Sequence, residues 1–227
     1  MAKVYINPLP VRIWHWTNAL GFVLMVLTGL QMRYIGLVDV VSFRTAVVMH
    51  NYVGFVLIAN FFLWLGFYLT SDKIKVYLPE LNVRKHFAAT FQQMYFYGYG
   101  IFRGEPSPFH VTAYSKFNPL QSMFYQVMMM FIVPVQFYTG LLLWDVARFS
   151  GQVNFLGGVR VIDTVHVLIF AFFMFFIPFH IYLGTCGHTP TAHFKAMIFG
   201  YEDVEEHEAE AAKAAIATAT AKDVRQT

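Results

Sequence analysis

Residues 161–185 read VIDTVHVLIFAFFMFFIPFHIYLGT. The run is almost wholly apolar, with one acidic residue, Asp163, near its start and no Lys or Arg. As a helix rising about 1.5 Å per residue it is long enough to cross a hydrocarbon core of roughly 30 Å. Its two histidines, His166 and His180, are fourteen positions apart. Fourteen residues is close to four turns, so both project from nearly one face, about 21 Å apart along the axis, one near each end of the span. An imidazole among lipid tails is costly unless it faces other helices and finds a partner. Two on one stripe point to two sites of one kind.

The composition agrees with a membrane solvent. Of 227 residues, 57% are hydrophobic, 19% aromatic and only 13% charged, which describes an integral membrane protein and leaves little for a soluble surface. A net charge of +3 is too small to argue for nucleic acid as a partner. The lone Cys186 excludes an internal disulfide, a Cys-ligated iron–sulfur cluster and a four-Cys zinc site, and reads as a small apolar residue at a helix end.

Three further spans are expected. After a short lead containing Pro8 and Pro10, where a helix can begin, an apolar run at about 13–34 opens with Trp14, His15 and Trp16. It is too long for a cleavable signal and reads as a retained transmembrane helix. A turn with Arg33, Asp39 and Arg44, and Ser42 as an N-cap, leads to a second span at about 45–70 that carries His50 early. Residues 71–119 are the only long connection. Charges come first, then HFAATFQQMYFYGYGIF, aromatic and amphipathic, expected to lie along the interface. A third span at about 120–144 holds Pro134, an expected kink. The fourth span is 161–185. A second interfacial stretch follows, and the tail of residues 202–227, acidic and then rich in Ala, reads as solvated.

The expected fold is therefore an all-α, four-helix transmembrane bundle over residues 1–201 with interfacial helices. Four spans put both ends on one side. Twelve of the sixteen Lys and Arg fall on that side and four, Arg33, Arg44, Arg148 and Arg160, on the other, which places both termini in the cytoplasm.

Topology then pairs the histidines. His15, early in the first span, and His180, late in the fourth, share the cytoplasmic level; His50 and His166 share the outer one. Paired imidazoles on opposed helices in a dry bundle are the arrangement that holds a haem b iron from both axial sides, whereas zinc wants further ligands at each level, and the spans offer none beyond Asp163 at a helix end. Gly29 and Gly54 would let a porphyrin approach the backbone. Two other readings stay open: a histidine relay in a proton or metal transporter, and a membrane anchor without cofactor. His86, His110, His188, His193 and His207 read as surface histidines.

PVRIWHW at 10–16, MHNYVGF at 49–55, KFNPLQSMFY at 116–125, and the paired histidines at 166 and 180 followed by IYLGT and MIFGY resemble the b-type cytochrome subunit of membrane-bound nickel–iron hydrogenases. The gamma subunit of formate dehydrogenase and the thiosulfate reductase cytochromes are related. The resemblance covers about residues 8–202. It implies two b haems, on His50 with His166 and on His15 with His180. It also implies an iron–sulfur electron-transfer subunit and a large catalytic subunit at the outer face of a bacterial or archaeal inner membrane, with quinone as the electron-exchange partner near the cytoplasmic face. The quinone position corresponds to Asn118 and Gln121, where Asn118 reads equally well as an N-cap ahead of Pro119. Arg12 is a candidate partner for a haem propionate.

Overall fold

The computed structural model describes residues 2–71, 83–109, 118–186 and 189–204. They form two compact units, one from Pro10–Ser71 and Met128–Leu183, the other from Met1–Leu9, Asp72–Val127 and Gly184–Thr227.

The first, the bundle unit, contains most of the apolar helix. Among the described residues of the two units, four stretches are long and apolar enough to cross a membrane: Leu9–Arg33 (α1), Phe43–Leu69 (α2), Pro119–Trp144 and Val159–Gly184. The second starts where expected, because Ser42 Oγ accepts the Thr45 N–H at 3.2 Å and caps it. In the third, the helix is wound more loosely over Met128–Ile132, ahead of the stretch Val133–Trp144 that contains Pro134. Proline has no N–H to give the preceding turn and its ring crowds a carbonyl there, and one widened turn absorbs both effects.

Inside this unit α1 and α2 meet closely. A Cβ on Gly21 would fall 2.5 Å from Leu57 Cδ2, so any larger residue would force the Leu57 side chain to move. Asn60 donates from α2 to the Trp14 carbonyl at 3.1 Å. Buried Gln31 pins the turn between them, accepting the Val40 and Val41 N–H groups and donating to the Val41 carbonyl. A short helix, Ser150–Phe155, sets Val153 against Leu142 and Ile162.

The second, the terminal unit, holds what the sequence hid. Ala2–Tyr5 (β1) pairs antiparallel with Tyr201–Val204 (β2), Tyr5 opposite Tyr201 and Ala2 opposite Val204. Glu202, Asp203 and Val204, expected to open the solvated tail, are instead paired in β2. Gly200, at φ +90°, turns the chain into β2, and its carbonyl accepts the Ile6 and Asn7 N–H groups. The two expected interfacial stretches are helical: Val83–Gly98 (α3) with a tight turn at Gly100–Arg103, and Ala192–Phe199 (α4). The expectations for Asp72–Asn82, His110–Phe117, Gly187, His188 and residues 205–227 lie outside the described residues.

Candidate cofactor site

All four intramembrane histidines lie in the bundle unit. The structure brings His15 beside His180, ring centroids 6.1 Å apart, and His50 beside His166, 6.4 Å apart. One metal ion held between two rings, about 2 Å from each coordinating nitrogen plus a ring radius on either side, gives a separation of about 6 Å. Both pairs therefore fit a single shared ion.

Around the second pair the setting is detailed. Thr28 Oγ1 lies 2.9 Å from His50 Nδ1 and donates to the Leu24 carbonyl at 2.7 Å. Thr139 Oγ1 lies 2.9 Å from His166 Nδ1 and donates to the Val135 carbonyl at 2.8 Å. The residue after each threonine is a glycine against the same imidazole: a Cβ on Gly29 would stand 3.6 Å from His50 Cε1, and one on Gly140 would stand 3.3 Å from His166 Cε1. At Gly29, expected to face a porphyrin, a Cβ would thus make only ordinary contact with the His50 ring, whereas at Gly140 it would crowd His166. On its other nitrogen, His166 Nε2 is 3.3 Å from the Gln136 amide nitrogen.

A cavity of about 430 Å³ opens here, lined by His50 and His166 with Met25, Gly54, Phe137 and Phe170, within the roughly 300–1,000 Å³ of small-molecule and cofactor sites. Arg33 and Asp163, each about half exposed, line it and face each other at 4.0 Å. His180 stacks on Phe176 with centroids 5.5 Å apart, and Phe173 packs on Phe22 at 4.8 Å. Among the described residues no three His, Cys, Asp or Glu side chains converge as a metal-binding group. Two imidazoles per pair, with no third protein ligand among the described residues, would suit an ion whose other positions are filled by a planar macrocycle better than tetrahedral zinc.

The family model for prokaryotic cytochrome b561 matches residues 7–200. The chain belongs to that family. It is 39% identical over 205 residues to an Escherichia coli (strain K12) protein named "Putative cytochrome YdhU", covering 88% of this chain and 74% of that one. No solved structure matches it significantly. The chain is thus an integral membrane b-type cytochrome, a haem b protein of electron transfer.

The remaining sequence candidates fall elsewhere. Arg12 is half-buried in the first turn of α1, three residues before His15. Asn118 and Gln121, in the terminal unit, cap the helix Pro119–Val127 reciprocally: Asn118 Oδ1 accepts the Gln121 N–H at 2.8 Å, and Gln121 Oε1 accepts the Asn118 N–H at 3.1 Å. The Asn118 amide also donates to Tyr97 Oη on α3 at 2.9 Å. Burial, then the Cys186 thiol, raises the Tyr97 pKa above its ordinary value, against hydrogen bonds from Asn118 and Gln93. His86 departs from its surface reading, since it is half-buried with Nε2 shielded.

Residue-by-residue reading missed Thr28, Thr139, Gly140, Gln136 and Tyr97. A signal for three of them was present: the tripeptide Thr-Gly-Leu occurs at 28–30 and again at 139–141.

Proposed function

We propose that this cytochrome is the membrane electron-transfer subunit of a respiratory oxidoreductase, carrying two b haems and exchanging electrons between an iron–sulfur partner and the quinone pool. The observation that carries the reading is the pair of imidazole couples, 6.1 and 6.4 Å between centroids. When bound, haem b supplies a one-electron couple. His15 with His180 and His50 with His166 are the residues that would hold the two haems, and the largely apolar cavity beside the second couple would receive the ring.

Quinone exchange belongs near Asn118. Its oxygen and one of its N–H groups are already engaged, so the donors left for a quinone carbonyl are its second N–H and the Tyr97 hydroxyl. The basic-residue count supports a cytoplasmic position for both termini, and with it an inner-membrane subunit whose iron–sulfur and catalytic partners sit on the outer face. The resemblance to hydrogenase and molybdenum-enzyme cytochromes supports that class of partner.

The test is optical. Dithionite-reduced protein should show a b-type α-band with two haems per chain. His166→Ala should leave one haem per chain and His15→Ala should also leave one. A haem content unmoved by both substitutions would overturn the ligand assignment, and an intact fold with no haem would favour a proton relay.

A further inference from the structure

From the hydrogen-bond geometry we infer that Thr28 and Thr139 are paired positioning residues of the His50–His166 haem, each fixing which nitrogen of its histidine faces the iron and how basic that nitrogen is. The inference rests on the ligand assignment above and adds to it a control on redox potential.

A threonine hydroxyl has one hydrogen. Thr28 directs its hydrogen to the Leu24 carbonyl, and Thr139 directs its own to the carbonyl of Val135 or of Gln136. What each hydroxyl then offers its histidine is a lone pair, at 2.9 Å from Nδ1 in both cases. Two lone pairs do not attract, so the proton is on Nδ1 and the imidazole donates to the threonine. Nε2 is left as the bare nitrogen of both rings. For His166 a second contact agrees with this tautomer, because the Gln136 amide nitrogen, which can only donate, sits 3.3 Å from Nε2; a bound iron would take that lone pair in place of Gln136.

The threonine contact is repeated. Each threonine precedes a glycine that lies against the same imidazole, tightly at Gly140 and with ordinary spacing at Gly29, and the two threonines come from different helices, α1 and the third span. A back-bonded threonine within a helix is common; a matched pair on the two rings of one site is what makes this one informative. Hydrogen bonds from the distal nitrogen of a ligating histidine fix its tautomer and ring orientation and raise its basicity, and losing such a partner commonly costs 10–100-fold in metal affinity. A more basic imidazole favours ferric over ferrous iron, so the two threonines hold the potential of this haem down.

The experiment uses the full chain in detergent, with the potential of each haem read by optical redox titration and the ferric haems by low-temperature electron paramagnetic resonance. Thr28→Val and Thr139→Val remove the hydroxyl and keep the branched shape. Each should retain two haems, shift the low-spin signal of one haem only, and raise its midpoint. A tenfold loss of ferric preference corresponds to about 59 mV for a one-electron couple. Thr28→Ser and Thr139→Ser, which keep the hydroxyl, should return both readouts to wild type. Should a valine variant lose its haem, retention of haem and potential in the serine variant still supports the hydroxyl, and loss in both overturns it. Unchanged potentials and spectra in the valine variants overturn it as well. Failure of the ligand assignment is separable, since His50→Ala and His166→Ala would then leave the same haem unaffected.

Discussion

Gly140 and Gly29 stand at matched places against two imidazoles, yet they do not have the same tolerance. A methyl group on Gly29 would meet His50 at 3.6 Å, an ordinary contact, while on Gly140 it would meet His166 at 3.3 Å, closer than most such contacts. Gly29→Ala should therefore leave haem content and spectrum unchanged. Gly140→Ala should tilt the His166 ring and change the low-spin signal of that haem without emptying the site, and equal effects of the two substitutions would refute this ranking. On the quinone side, Tyr97→Phe removes a hydroxyl while sparing the helix cap. It should weaken binding of a quinone-site inhibitor roughly two- to tenfold, the value of one net hydrogen bond, with both haems retained; unchanged binding would exclude Tyr97 from that site. The histidines were legible in the sequence because an imidazole in an apolar run is conspicuous. Thr28 and Thr139 were not, because threonine is ordinary in membrane helices and only its contact with a ring distinguishes it.

Helices and strands differ in how much of them the chain announces. Each span is carried by its own composition, so length and hydropathy located all four, and local chemistry at Ser42 set a boundary. The β1–β2 pair could not be located that way: its partners are about two hundred residues apart in sequence, and strand propensity over four residues is overridden by context. Its anchor is Gly200. At φ +90° a side chain is strained, and a Cβ would fall 2.6 Å from the Tyr5 ring and 2.9 Å from the Asn7 carbonyl oxygen. Gly200→Ala should loosen this pairing by about 1–2 kcal/mol or more. Hydrogen exchange would register it as faster exchange of the Ile6 and Asn7 amides, which bond to the Gly200 carbonyl, with the amides of α2 unaffected. Protection unchanged at Ile6 and Asn7 would show that the turn accepts a side chain.

Across the molecule as a whole, antiparallel pairing of β1 with β2 requires an even number of membrane crossings between residues 5 and 201, and the four apolar helices supply it. Which side those strands occupy is not a matter of packing. For the cytoplasmic side proposed above the support is charge, since a four-span topology would put twelve of the sixteen basic residues with the termini and four opposite. The single cysteine makes this directly measurable. In a Cys186→Ser background, a cysteine at Leu37, 81% exposed in the turn between α1 and α2, should react with a membrane-impermeant maleimide added to intact spheroplasts. A cysteine at Lys195, exposed on the helix Ala192–Phe199, should react only after the membrane is opened. The opposite pattern would invert the molecule and put the His15–His180 pair at the outer level. Labelling of both from outside would contradict the four crossings, because Leu37 and Lys195 are separated by three of them.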